Sequence, residues 1–190
     1  MDFAALHARL AARFGDKLVA VSAEALNPWI VVAPEAIVEV AAAAKDDAAF
    51  AFDNLMNLSA VDYPKENPPR IEIVYHLFSY QLRHTLVLKV HVPREQPVVP
   101  TVEGVWPAAN WHEREVFDLF GVTFTGHSDL RRILLPDDWQ GHPLRKDWVD
   151  PDFYNGLHVK PPTQMAERVA AGEPLGVGPF DQTPTNRHVE

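Results

Sequence analysis

Apolar residues along this chain repeat first with the period of a helix and then with that of a strand. Phe3, Leu6, Leu10 and Phe14 stand three or four apart, which predicts an amphipathic helix over 3–14. Residues 17–22 and 29–33 are short and rich in valine and isoleucine. The Asn27-Pro28 break between them predicts two strands joined by a turn. Pro34 then suits the first position of a second helix, with Glu35 near the positive end of its dipole and Ile37, Val38, Val40, Ala41 and Ala44 on its apolar face. Residues 57–63 read as a further strand, stopped by Pro64 and a proline-rich loop to Pro69. Beyond it Ile71, Ile73, Tyr75 and Leu77 alternate with Glu72, Val74, His76 and Phe78. Leu86, Leu88, Val90 and Val92 alternate in the same way with Thr85, Val87, Lys89 and His91. This period of two predicts an antiparallel hairpin with one face on the core. The order of elements predicts an α+β fold, helices packed on a mostly antiparallel sheet.

A third helix has legible ends. Pro107 suits its first turn, and Gly121 stands where a left-handed cap is wanted. Trp106, Ala109, Val116, Phe117 and Phe120 share one stripe, and Glu113 falls on the same stripe. A carboxylate among aromatics either finds a cation or takes up a proton, because an unpaired buried charge is very costly. The preferred reading is an ion pair with the Arg131-Arg132 loop, Arg145 being a further candidate; the other is an acid of raised pKa. Arg114 and Asp118, four apart, are placed to pair on the helix surface. From Trp148 onward proline and glycine replace sustained apolar patterns. The expected organisation is therefore an α+β body over 1–147, which includes a charged, extended arm over 111–147, and an irregular tail over 148–190 that lies on partner proteins.

Composition narrows the function. A 190-residue chain with 47% hydrophobic residues is long enough for a real core. No apolar run approaches the ~20 residues that cross a bilayer, and the first residues lack the apolar centre of a signal peptide. A formal charge of −9 argues against nucleic acid as a partner. With no cysteine, the chain has no thiolate chemistry, no disulfide and no ordinary ligand set for an iron–sulfur cluster. Charges of both signs crowd the arm without any nucleophile-and-base arrangement. His112, His127 and His142 recur at equal intervals, and with Asp118, Asp129 or Asp138 they suggest a metal-dependent hydrolase. They share no helix face and form no local ligand pair, so they are read as hydrogen-bonding histidines. Arg131, Arg132, Arg145 and Lys146 are read as partners of Asp129, Asp137, Asp138, Asp147 or a neighbouring subunit's carboxylates, rather than as an anion site. Trp106, Trp111, Trp139 and Trp148 are candidates for core or for contact anchors.

The runs Glu113-Arg114-Glu115, Asp118-Leu119-Phe120-Gly121-Val122, Phe124, Gly126-His127, Asp129-Leu130-Arg131-Arg132-Ile133-Leu134 and Gly141-His142-Pro143-Leu144-Arg145-Lys146-Asp147 resemble the signature of one family. It is the 30 kDa (C) subunit of the proton-pumping NADH:quinone oxidoreductase, respiratory complex I. Asp62-Tyr63-Pro64 and the paired strands stand in similar order, so the resemblance covers about residues 30–150. Ser128 stands where the family usually has proline. The resemblance implies a cofactor-free, non-catalytic subunit of the peripheral arm, a hetero-oligomer with subunits D, B and I, with clusters, FMN and the quinone site in partner chains. It implies a peripheral position on the cytoplasmic face of the bacterial cell membrane. It also makes Glu113, Arg114, Asp118, His127, Asp129, Arg131, Arg132, His142, Arg145, Lys146 and Asp147 interface or structural ion-pair residues. A homologous subunit of a membrane-bound hydrogenase or ferredoxin-dependent complex is the alternative within the same class.

Overall fold

The computed structural model describes residues 2–151 and 153–158. The segment up to Trp148 forms one compact unit and a second begins at Val149. In the first unit α1 (Phe3–Phe14) is the predicted amphipathic helix; Asp2 caps it by accepting the Ala5 N–H at 2.9 Å, and Leu6, Leu10 and Phe14 are buried. Next come β1 (Leu18–Ser22) and β2 (Trp29–Val32), which pair antiparallel. Pro34–Ala36 makes one 3-10 turn before α2 (Ile37–Asp46). The buried face of α2 is Ile37, Val40, Ala41, Ala43 and Ala44; Val38, assigned to that face from sequence, is 38% exposed and Ala43 takes its place.

Three long strands follow: β3 (Asn54–Tyr63), β4 (Arg70–Ser79) and β5 (His84–Pro93). β3 begins three residues before the expected start, with a register shift between Leu55 and Asn57 that interrupts the period-two signal there. The sheet runs β1-β2-β5-β4-β3, antiparallel throughout except for the parallel β2–β5 contact. Ile71, Ile73, Tyr75 and Leu77 of β4 and Leu86, Leu88, Val90 and Val92 of β5 are all at most 1% exposed and meet the helices on one face, as the alternation predicts. The opposite face is mixed: Glu72 lies against Lys89 at 2.7 Å and His91 at 2.9 Å, cross-strand neighbours by register.

β6 (Val98–Pro100) leads to α3 (Ala109–Phe120), and β7 (Thr123–Thr125) returns parallel to β6. Pro107 precedes the helix rather than filling its first turn. Gly121 closes it at φ +72°, and a Cβ there would meet His142 ring atoms at 2.5–3.0 Å, so only glycine fits both the backbone and the space. Trp106, Ala109, Val116 and Phe120 join the core, and the Trp106 indole N–H donates to the Phe52 carbonyl at 2.9 Å. In the second unit β8 (Phe153–Tyr154) and β9 (Leu157–His158) form a hairpin across Asn155-Gly156, both at positive φ, the turn that Asn-Gly favours. The remainder of the expected tail, 159–190, lies outside the described residues.

Candidate functional site

The polar face of α3 gathers the chain that follows it. Arg114 and Asp118, expected to pair with each other at the surface, are instead 4% and 0% exposed, and each turns to the loop after β7. One Asp118 carboxylate oxygen accepts from Arg132 Nη1 at 2.7 Å. The other accepts three successive backbone N–H groups, of Ile133, Leu134 and Leu135, at 3.1, 2.8 and 2.9 Å. Three converging amides and a guanidinium make a site for one fixed negative charge. Burial pushes the Asp118 carboxyl up, but these bonds outweigh it and hold the group below the usual carboxylate range. Arg114 donates to the Arg131 and Arg132 carbonyls, both at 3.2 Å, lies 3.7 Å from Asp129, and covers the Trp111 ring at 5.3 Å. Arg132 also reaches the Trp139 carbonyl at 3.0 Å. Residues 129–141 are thereby folded onto α3.

A second clamp fixes the end of the segment. Asp62, on the core-facing register of β3, takes a fork of two bonds from Arg94 at 2.7 and 2.9 Å and the Lys146 N–H at 2.8 Å. Arg94 also donates to Asp147 at 2.5 Å, Arg145 donates to the Phe120 carbonyl at 2.7 Å, and the Leu144 N–H meets the Leu119 carbonyl at 3.1 Å. Burial raises the Asp62 carboxyl, and the bonds from Arg94 and Lys146 more than offset it, leaving it lowered. Asp147 is held low chiefly by the Arg94 bond. Lys146 thus serves through its backbone, not its ammonium group.

Glu113 corrects the ion-pair reading. It is fully buried, but its partners are the Thr101 hydroxyl and, at 2.8 Å, the Val102 N–H; Arg131 and Arg132 instead hold Asp129 and Asp118, and Arg145 holds Phe120. Burial pushes its carboxyl up to about 7, against the lowering effect of the Thr101 and Val102 bonds and of His127 at 3.9 Å. The ion pair with the Arg131-Arg132 loop is thus replaced by hydrogen bonds from the loop after β6. Glu103, missed in the sequence, sits beside it. It accepts from Asn110 at 2.7 Å and from the Ser128 N–H at 2.7 Å, and these bonds outweigh burial to lower its carboxyl. Ser128 supplies the N–H of that bond, which a proline at the position would lack.

Two of the three histidines, His127 and His142, are committed to bonds of their own. The His142 Nδ1–H donates to the Asp118 carbonyl at 2.9 Å, and its ring closes over Gly121. His127 Nδ1 accepts the Asp129 N–H at 3.0 Å, so its proton sits on Nε2, which faces the Asn110 carbonyl at 3.1 Å. Among the described residues no three His, Asp or Glu side chains gather in a way that would hold a metal ion. A cavity of about 700 Å3, lined by Phe3, Leu26, His76, Arg83 and His84 among others, contains none of the signature residues. What the arrangement achieves chemically is fixation: Asp118, Asp62, Arg114, Arg132 and Arg94 use their bonding capacity within the chain. Arg131 remains 69% exposed beside Asp129, with Trp111 at 63%, Leu134 at 61% and Leu144 at 47% exposed.

Residues 30–153 match the family described as the 30 kDa subunit of respiratory-chain NADH dehydrogenase. The C subunit of the NADH-quinone oxidoreductase of Roseiflexus sp. strain RS-1 is 47% identical over 147 residues, covering 77% of this chain and 84% of that protein. The protein of the same name from Chlorobium phaeobacteroides strain DSM 266 is 40% identical, with 77% and 89% covered. Among solved structures, a trypsin-resistant fragment (1-134) of Nqo5 superposes with a TM-score of 0.57 at 32% identity, over 68% of this chain and all of the fragment. A chain of the membrane-bound sulfane sulfur reductase, an archaeal respiratory membrane complex, gives 0.65 at 25% identity, with 77% and 85% covered.

Proposed function

The chain belongs to the 30 kDa subunit family of respiratory-chain NADH dehydrogenase, and from that premise we propose that it is a non-catalytic brace in the peripheral arm of an NADH:quinone oxidoreductase. Hydride, electrons and quinone are handled by other chains, which carry the flavin, the clusters and the quinone cavity. This chain holds those subunits, D, B and I, in place. The observation that carries the reading is the double latch. Asp118, within the signature, and Asp62, upstream of it, are spent on backbone N–H groups and arginines of their own chain. Neither is free to serve a reacting molecule. The latch presents Trp111, Arg131, Leu134 and Leu144 outward on a fixed scaffold, and exposed aromatic and arginine side chains are the kind that anchor protein contacts.

No helix among the described residues is long and apolar enough to cross a membrane. The proposed position is peripheral, on the cytoplasmic face of the bacterial cell membrane. The body and its charged arm, 1–147, form the scaffold, and the tail from 148 lies along partner subunits. The 47% identity to a subunit of an NADH-quinone oxidoreductase, against 25% to the sulfane sulfur reductase chain, favours NADH as the electron source. Affinity capture of the native chain with identification of its partners by mass spectrometry tests this. Flavin-bearing NADH-oxidising subunits together with the quinone-site subunit are expected. Capture with hydrogenase subunits, or alone, would contradict it.

A further inference from the structure

A cavity of about 560 Å3 opens beside the second clamp, between the turn after β3 and the end of the latch. Tyr63 and Pro64, both half-buried, contribute apolar surface, and Asp62, Lys65, Glu66 and Lys146 are among the other lining residues. The two carboxylates already have cations. Asp62 is spent on Arg94 and the Lys146 N–H. Glu66 stands 3.9 Å from Arg70, which lies over the Tyr63 ring at 5.3 Å. The two ammonium groups have no such partner. Lys65 and Lys146 are exposed, and neither ammonium group forms an ion pair or hydrogen bond among the described residues. Around the cavity Lys65, Arg70, Arg94 and Lys146 stand against Asp62, Glu66 and Asp147, so cations are in excess. The chain as a whole is the reverse, with 26 acidic residues to 17 lysines and arginines. Its local field here therefore attracts negative charge, against the average of the molecule.

We propose that this cavity docks an acidic segment of a neighbouring subunit, whose aspartate, glutamate or C-terminal carboxylate is received by Lys65 and Lys146. The inference rests on the bracing role proposed above and adds the chemistry of one contact. A negative charge is what the two lysines lack within their own chain. Charges at the rim of an interface choose and orient a partner more than they tighten it. An ammonium group is a compact charge on a flexible stem with three donors, so the pair takes a carboxylate without demanding one geometry. The clamp meanwhile fixes the Lys146 backbone through Asp62, which holds the base of that side chain in place.

Carbodiimide cross-linking of the intact complex reads the contact. The reagent activates a carboxyl group, a lysine amine within reach attacks it, and an amide forms as the reagent leaves as its urea. An amide between Lys65 or Lys146 and a carboxylate of another subunit is expected, located by mass spectrometry. Amides only to carboxylates of this chain, those of residues 150–190 included, or none at either lysine, overturn the proposal. Charge reversal gives a second reading in cells whose complex contains this chain. Lys65→Glu combined with Lys146→Glu is expected to lower incorporation at least ~10-fold, because like charges then face each other. Urea unfolding of the isolated double variant is expected to match that of the unaltered chain. Undiminished incorporation of the double variant overturns the proposal. The bracing role fails by a separate result, capture of the unaltered chain without partner subunits.

Discussion

Replacing Asp118 is the sharpest probe of the latch. The carboxylate is 0% exposed and holds four donors: Arg132 and the N–H groups of Ile133, Leu134 and Leu135. Asp118→Ala leaves a mostly covered guanidinium, 18% exposed, without its partner. Breaking one side of a buried pair costs about 3–5 kcal/mol. Each stranded buried N–H adds about 1–3 kcal/mol unless water reaches it. Residues 133–135 lie near the surface, so rehydration offsets most of the second contribution, and the expected loss is about 3–5 kcal/mol. Asp118→Asn keeps one accepting oxygen for the amides but turns a donor toward Arg132; the expected loss is about 2 kcal/mol. Urea unfolding of the isolated chain measures both, through the midpoint at constant slope. A loss below about 1 kcal/mol for Asp118→Ala, the range of a surface pair, would refute the claim that the carboxylate is a buried anchor.

Other perturbations test separate parts of the structure. Gly121→Ala is expected to cost at least ~2 kcal/mol, combining the left-handed penalty of about 1–2 kcal/mol with the His142 ring in its path. Gly104→Ala, with open space around it, is expected to shift the melting temperature little. Arg94→Ala strands the Asp62 carboxylate, and a double-mutant cycle with Asp62→Asn is expected to return a coupling of about 1–3 kcal/mol; additivity would show the clamp to be passive. Stability should also depend on pH in two directions. The raised Glu113 acid contributes fully below its ordinary value and loses that contribution as pH rises through about 7. The lowered Asp62 and Asp118 contribute above the ordinary carboxylate range and lose it as pH falls through their depressed values. Urea midpoints are therefore expected to peak in mildly acid solution, and Glu113→Gln to remove the decline toward pH 8. A midpoint that rises steadily from about pH 5 to about pH 8 would contradict the Glu113 assignment, and one that does not fall below about pH 4 would contradict those of Asp62 and Asp118.

The elements were legible where one period dominated. Every second residue of β4 from Ile71 and of β5 from Leu86 packs into the core, and the α1 stripe packs as its spacing predicts; of the α3 stripe, Trp106, Ala109, Val116 and Phe120 are buried and Phe117 is only half-buried. The β3 start was not, because the register shift after Leu55 puts two residues against one. The parallel β2–β5 contact was hidden for a different reason: it joins segments far apart in the chain, and no local pattern encodes a partner. The site divides the same way. A carboxylate at Asp62, in step with Leu58 and Ala60, announces that a cation is needed. Identifying Arg94 requires knowing that Asp62 and Val92 both face Ile71 across the sheet. Glu113 on the apolar stripe of α3 posed the right question. Its answer lay in Thr101 and Val102, polar contacts from a loop that no charge pattern marks. Arg114 and Asp118 satisfied the i,i+4 rule in sequence, but each found more donors and acceptors in the returning loop than the other could supply.

The two neighbouring arginines allow the most direct test of a bracing role. Arg132 is tied to Asp118, whereas Arg131 is 69% exposed. In cells whose complex contains this chain, the measurement is NADH:quinone turnover divided by the amount of assembled complex, for Arg131→Ala and Arg132→Ala. The account predicts less assembled complex for both, with isolated Arg131→Ala folding normally and isolated Arg132→Ala less stable. Turnover per assembled complex should remain that of the unaltered protein. Full assembly with turnover abolished would contradict the account, because the arginine would then be acting on the reaction and not on the scaffold.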